Sequence, residues 1–278
     1  MIVGDAAEST ILVTGATDGL GRRVARELAA KGATVLLHGR SPERLDAALE
    51  EVRTHTGSKK LGSYVADLSS LGEVRGLSEQ VLSEHDRLDV LVNNAGVIVR
   101  EREESEDGHE LTFAVNYLSH FLLTGLLLPL LRDSAPSRIV NVASAGQSPM
   151  DFEDPMLEKG YEAMGAYTRS KLAQVMFTFE LAERLRDTGV TVNALHPASL
   201  MNTKMVHDTF GYTMSTVEEG TEAVIRLAAS PDLEGVTGCY FDGSQEARAN
   251  RQAYDAEARR TLWAFSEQLC GSVLEPIR

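Results

Sequence analysis

Cysteine is scarce: the 278 residues hold two, Cys239 and Cys270. That excludes a disulfide-stapled secreted fold and a site built on several thiolates, and fits a reducing compartment. Positive charge is also in short supply. Lys and Arg number 27 against 41 Asp and Glu, a net charge of −14. A body this acidic repels phosphate backbones and anionic membrane surfaces, so neither nucleic acid nor a membrane is expected as a partner. A local basic site for one phosphate remains compatible with it. Met1–Thr10 lacks a basic segment followed by an apolar core, so no signal peptide is expected and a cytoplasmic location is. The longest apolar run, Phe121–Leu131, is interrupted by Thr124, Gly125 and Pro129 and is too short for a bilayer. It reads as a buried helix. No His-x-x-x-His, clustered Cys/His or calcium-loop pattern is present, so no metal is expected.

What is present is ordinary globular material, 43% hydrophobic and 24% charged, arranged as strand and helix in alternation. Short β-branched runs occur at Thr10–Thr14, Thr34–Leu37, Lys60–Val65, Leu88–Val92, Arg138–Ala143, Val190–Leu195 and Gly238–Phe241. Between them lie helical patterns at Arg22–Lys31, Ser41 to about His55, Leu71–His85, Leu111–Leu131, Ala166–Asp187 and Val217–Ala229, with a last one at Ala249–Leu269. This predicts an α/β protein, a single doubly wound (Rossmann-type) domain over 1–278, with a mostly parallel sheet and helices on both faces. The loops 144–165 and 197–215 follow the fifth and sixth strands, where such sheets bind ligands, and are the expected substrate walls.

Gly15, Gly19 and Gly21 join the first strand to the first helix, with Thr17, Asp18 and Leu20 among them. Glycines there let a pyrophosphate approach main-chain N–H groups at a helix N-terminus, which carries partial positive charge. A dinucleotide site for NAD usually has a carboxylate at the end of the second strand. Here the strand ends His38-Gly39-Arg40. Arg40 would attract the 2′-phosphate of NADP, so NADPH is expected over NADH; the plain alternative is a solvated arginine at a helix start.

Tyr167 and Lys171 stand four residues apart, on one face of a helix. An ammonium beside a phenol favours the phenolate and is expected to lower its pKa, making Tyr167 a general acid or base. Ser144 directly follows the fifth strand, where its hydroxyl can donate to the same substrate oxygen.

With these residues in this order, the chain resembles the short-chain dehydrogenase/reductase family from Thr10 to Gly271. Within it, the retinol dehydrogenase-like branch, which includes WW-domain-containing oxidoreductases, is the most similar. The phrases that carry the likeness are Asn116–Thr124, Pro136–Val142, Ser170–Val175, Val190–Pro197, Gly238–Asp242 and Leu262–Glu267. The resemblance implies a four-part site of Asn116, Ser144, Tyr167 and Lys171, with Asn116 positioning a water that links Lys171 to solvent. It also implies that Asp67 and Leu68 meet the adenine, that Asn94, Ala95 and Gly96 lie along the cofactor, and that Tyr167 and Lys171 stand by its nicotinamide ribose. Pro197 and a following threonine would complete the cofactor contacts. Here Ala198 replaces the usual glycine after Pro197, and Thr203 comes one position late, with Asn202 in the usual place. Either residue is left as the nicotinamide-side contact.

The implied function is an NADP(H)-dependent alcohol dehydrogenase or carbonyl reductase acting on a small-molecule alcohol or carbonyl. The alternative is a non-catalytic dinucleotide-binding sensor on the same fold; the glycine spacing and chain length disfavour a sugar-nucleotide epimerase or dehydratase. Membrane-bound members carry an N-terminal anchor that is not read here, so retinoid specificity is not carried over. In many relatives the helices starting near Leu111 and Ala166 pair subunits, which implies a homo-oligomer and leaves a monomer open. The acidic stretches Glu101–Asp107 and Glu153–Asp154 are expected to be solvated loops, and His196 a structural histidine.

Overall fold

The computed structural model describes residues 6–271. Residues 1–5 and 272–278, which belong to the expected 1–278 domain and include part of the segment read for a signal peptide, lie outside the described residues.

The strands are β1 Thr10–Val13, β2 Thr34–Gly39, β3 Leu61–Val65, β4 Val90–Asn93, β5 Ser137–Val142, β6 Val190–His196, β7 Tyr240–Asp242 and β8 Gln245–Ala247. They form one sheet in the order β3-β2-β1-β4-β5-β6-β7-β8. All neighbours are parallel except β7 and β8. The central strands are fully buried: Ile11, Leu12, Val13, Leu91 and Val92 show no exposed surface. That explains their continuous apolar runs, since helices cover both faces of a parallel sheet.

Helices α1 (Gly19–Ala30), α2 (Pro42–Thr56) and α3 (Leu71–Glu84) are each capped by the side chain before them: Asp18, Ser41 and Ser70. The others are α4 (Leu111–Asp133), α5 (Ala163–Arg184), α6 (Lys204–Phe210), α7 (Val217–Ala229) and α8 (Ala256–Cys270). Val24 and Leu28 of α1, Leu45 and Val52 of α2, and Val224 and Leu227 of α7 build the core on one face. Helices α3, α4, α5 and α8 build the other. Each fully buried Leu, Val or Phe there stabilises the fold by roughly 1.5–3 kcal/mol against exposure.

By length and composition α4 is apolar enough to cross a membrane, yet its most apolar window is 89% buried inside the fold. It is a core helix. From Ser170 to Ala182 every residue of α5 is buried too. Tyr117 of α4 bonds Ser266 of α8 at 2.7 Å, and Trp263 of α8 packs on Phe121 and Phe177. Much of the two helices expected to pair subunits is thus covered within one chain.

Other expectations also change. β8 is not among the expected strands; three residues, Gln245-Glu246-Ala247, carry too little pattern. The last helix starts at Ala256 rather than Ala249, because Asp255 caps it. The loop 197–215 contains α6. The acidic loop at Glu101–Asp107 is not merely solvated. Asp107 Oδ2 accepts from Leu71 N at 2.8 Å, and Glu106 accepts from the Ser70 hydroxyl. Those carboxylates sit where the α3 N-terminus attracts negative charge.

Candidate active site

The glycine turn is clamped from three sides. Thr14 Oγ accepts from Asn94 N at 2.9 Å and Ala95 N at 3.1 Å. Asn94 Nδ2 donates back to the carbonyls of Thr14 (2.8 Å) and Gly15 (3.2 Å). From β2, His38 accepts from Gly15 N through Nδ1 at 3.2 Å and meets the Ala66 carbonyl through Nε2 at 3.0 Å. Gly15 holds φ +64°, and a Cβ on Gly21 would stand 2.3 Å from the Gly15 carbonyl oxygen. Only glycine suits either position.

Around this turn the expected cofactor residues are placed unequally. Thr17 packs over Gly39, and Asp18 caps α1 by accepting from Gly19 N at 2.7 Å. The Asp18 carboxylate is countered by Arg44 at 3.1 Å and Arg22 at 4.0 Å. Arg40 is exposed at the end of β2 and unpaired among the described residues. Leu20 and Leu68 bury their side chains in the core, so each can offer a ligand only its backbone. Asp67 Oδ1 accepts from Ser69 N and Oγ. Thr203 brings its methyl within 3.2 Å of where a Gly19 Cβ would be, whereas Asn202 bonds His207 at 2.7 Å. Thr203 touches the turn, and Asn202 lines the same cleft as Asp18 and Gly19. Pro197 packs against Gly220 of α7.

Tyr167, Lys171 and Ser144 meet between β5 and α5. Lys171 is buried, 4% exposed; its Nζ lies 5.6 Å from the Tyr167 ring centroid and donates to the Val142 carbonyl at 2.9 Å and Gln174 Oε1 at 2.8 Å. Burial brings Lys171 down to about 7. Burial also raises Tyr167 above the usual phenol value, with a hydrogen bond from Ser144 pulling the other way. In the free site, desolvation thus outweighs the hydrogen bond from Ser144. A Cβ on Gly96 would stand 3.5 Å from Lys171 Nζ; glycine keeps that side of the ammonium open.

Asn116 lies in a π-helical segment of α4, Ala114–Leu118. Such bulges re-aim side chains and are frequent at functional sites. Its Oδ1 accepts from Val97 N at 2.7 Å, and Nδ2 donates to the Val97 carbonyl (3.0 Å) and Ser170 Oγ (2.9 Å). Both amide donors are committed, so the side chain braces the loop after β4 against α5.

Several contributors escaped the sequence reading. Ser144's carbonyl accepts from Tyr240 Oη (3.0 Å) and Gln147 Nε2 (2.8 Å), and Gln147 is held in turn by Asn250 N at 2.8 Å. Thr14, His38 and Gln174 were missed as well. The available signal was a polar residue inside a buried run. His196 bonds Ser199 at 3.1 Å. A cleft of about 720 Å³ between α1 and α7 touches none of these residues.

The donor set suits a dinucleotide: a glycine turn at a helix N-terminus, an unpaired arginine beside it, and an open flank at Gly96 leading to Lys171.

Comparison with known proteins agrees. The sequence profile of the short chain dehydrogenases matches residues 9–211. Retinol dehydrogenase 13 of Mus musculus is 40% identical over 279 residues, spanning 94% of this chain and 84% of that protein. An uncharacterised protein from Mycobacterium paratuberculosis shares the fold with TM-score 0.76 at 30% identity, over 96% of this chain and 95% of that one. A chain from Shigella flexneri, described as a short chain dehydrogenase complexed with NADP, has TM-score 0.71 at 28% identity, over 85% and 97%.

Proposed function

The chain belongs to the short-chain dehydrogenase family, in its retinol dehydrogenase-like branch, and we propose that it is an NADP(H)-dependent oxidoreductase of a small alcohol or carbonyl compound. The observation that carries this reading is the convergence of Ser144, Tyr167 and buried Lys171 beside the open flank at Gly96.

Tyr167 is the proton carrier. Its phenolate takes the hydroxyl proton of an alcohol, and its phenol returns one to a carbonyl oxygen. Ser144 donates a hydrogen bond to the same oxygen. Lys171, when charged, favours the phenolate, and Asn116 keeps the loop that carries Gly96 against α5. A bound nicotinamide would supply or accept the hydride. Gly15, Gly19, Gly21 and the backbone around Thr17, Asp18 and Leu20 would hold the pyrophosphate, Arg40 the 2′-phosphate, Asp67 and Leu68 the adenine. Asn94, Ala95, Pro197 and Thr203 would flank the remainder. The setting proposed is cytoplasmic, and the net negative charge disfavours nucleic-acid and anionic-membrane partners; a homo-oligomer is compatible with this reading.

A panel of aldehydes, ketones and alcohols assayed with NADPH and NADH tests the reading. Turnover with NADPH, lost by about 10²-fold or more in Tyr167→Phe while cofactor binding persists, is expected. NADPH binding without turnover of any compound would instead indicate the sensor.

A further inference from the structure

Behind Lys171 runs a polar chain that the reaction above does not use. Gln174, one helical turn after Lys171 in α5, accepts from its ammonium at 2.8 Å, and Gln174 Nε2 meets His120 Nδ1 of α4 at 2.9 Å. The three residues are 4%, 1% and 0% exposed. Their polarity follows from chemistry alone. An ammonium only donates, so the amide must present Oε1 to it. Nε2 can then only donate, so His120 accepts at Nδ1 and carries its proton on Nε2, which has no partner among the described residues. Burial, with the Lys171 charge adding to it, pushes His120 down to about 3 and so keeps the ring in the neutral form this chain needs.

We propose that Gln174, its amide locked in orientation by His120, is a positioning residue for Lys171, fixing where the ammonium stands and stabilising its charged form in the dry core beside Tyr167. The titratable groups that face Lys171 are Tyr167 on its own helix and His120 from α4, with His38 of β2 acting on His120 in turn. Val142 of β5 and Asn116 of α4 offer only neutral dipoles. Among the described residues no carboxylate is a hydrogen-bond partner of Lys171, so Gln174 Oε1 and the Val142 carbonyl are what replace its water. The consequence for turnover rests on the oxidoreductase reading, because a lysine that loses its charge no longer favours the phenolate.

The test is the titration of Lys171 in the free protein, followed by the ¹³Cε shift of labelled lysine, with Lys171→Met to assign the signal. Gln174→Leu should lower the titration by about one pH unit, a tenfold loss of proton affinity. Gln174→Glu, nearly isosteric, should raise it by at least as much. The limb of the kcat profile that follows Lys171 should move with the same sign in each. Folded variants whose Lys171 titrates as in the wild type, with only the melting temperature changed, would overturn the proposal. If Gln174→Leu fails to fold, Gln174→Glu decides alone. A titration that moves as expected in a protein that turns over no substrate would keep the positioning role and remove the oxidoreductase reading.

Discussion

Gly15 donates its backbone N–H to the buried ring of His38, and that ring reaches the Ala66 carbonyl with its other nitrogen. One neutral imidazole thus ties the glycine turn to the exits of β2 and β3. Burial lowers the ring from 6.5 to about 4. Between those values the unfolded chain binds more protons than the folded one, so this contribution is complete above pH 6.5 and is lost as pH falls toward 4. It amounts to about 3 kcal/mol. His38→Leu should lose about 1–3 kcal/mol at pH 7 from unpaired buried groups, and the gap to wild type should close as the pH drops. Urea unfolding at pH 7 and near pH 4.5 measures both. A gap that stays constant would show that His38 does not carry the pH dependence.

Glycine substitutions should separate close packing from mere helix position. In Gly21→Ala the new methyl would meet the Gly15 carbonyl oxygen at 2.3 Å and Asn94 Nδ2 at 2.4 Å. Neither can retreat without breaking the turn, so a loss of about 1–3 kcal/mol or more is expected. Gly76 lies in α3 with nothing within 4 Å of its would-be Cβ. Gly76→Ala should stabilise by about 0.5–1 kcal/mol. Thermal melting of the two variants should give opposite signs; the same sign in both would contradict the packing described.

Cofactor preference should rest on Arg40. The other arginines near the turn are engaged, Arg44 with Asp18 at 3.1 Å and Arg22 with Glu51 at 2.9 Å, while Arg40 is exposed and unpaired among the described residues. Arg40→Ala should weaken NADPH about tenfold or more and leave NADH nearly unchanged. Because the guanidinium is exposed, the wild-type advantage should shrink as salt is added. Fluorescence titration of both cofactors decides; equal losses would place Arg40 away from the 2′-phosphate.

The parts of this architecture legible in the sequence are those set by local spacing. The β1–turn–α1 unit shows as a β-branched run, three glycines and a helical period, and Tyr167 and Lys171 share a face because they are four apart in one helix. What stayed hidden depends on partners far away in the chain. The Thr14–Asn94 clamp joins residues 80 apart and Gln174–His120 residues 54 apart, and no local period encodes such pairs. The charge of the 101–107 loop was visible, but not that α3 would offer its N-terminus to it. Nor does the sequence display how strongly burial acts on Tyr167 in the free site.

The segment after β6 should be the least stable part of the site wall. None of the seven residues of α6 is buried, and Phe210, Tyr212 and Met214 expose 36%, 58% and 71% of their surface. Its ties to the rest of the fold include Met201 and Pro197 packed against Gly220 of α7, and Arg100 donating to the Asp208 carbonyl at 3.0 Å. With so little apolar burial, local opening takes only a small part of the global unfolding free energy. Thr203, however, touches the glycine turn, so a ligand seated there would add contacts to the segment and restrain it. Closure would lower an apolar surface over the reacting oxygen and exclude water. Hydrogen exchange of residues 202–215 should be fast in the free protein and about tenfold slower with NADP and an alcohol product together. Equal protection in both samples would leave a static wall and no closing lid.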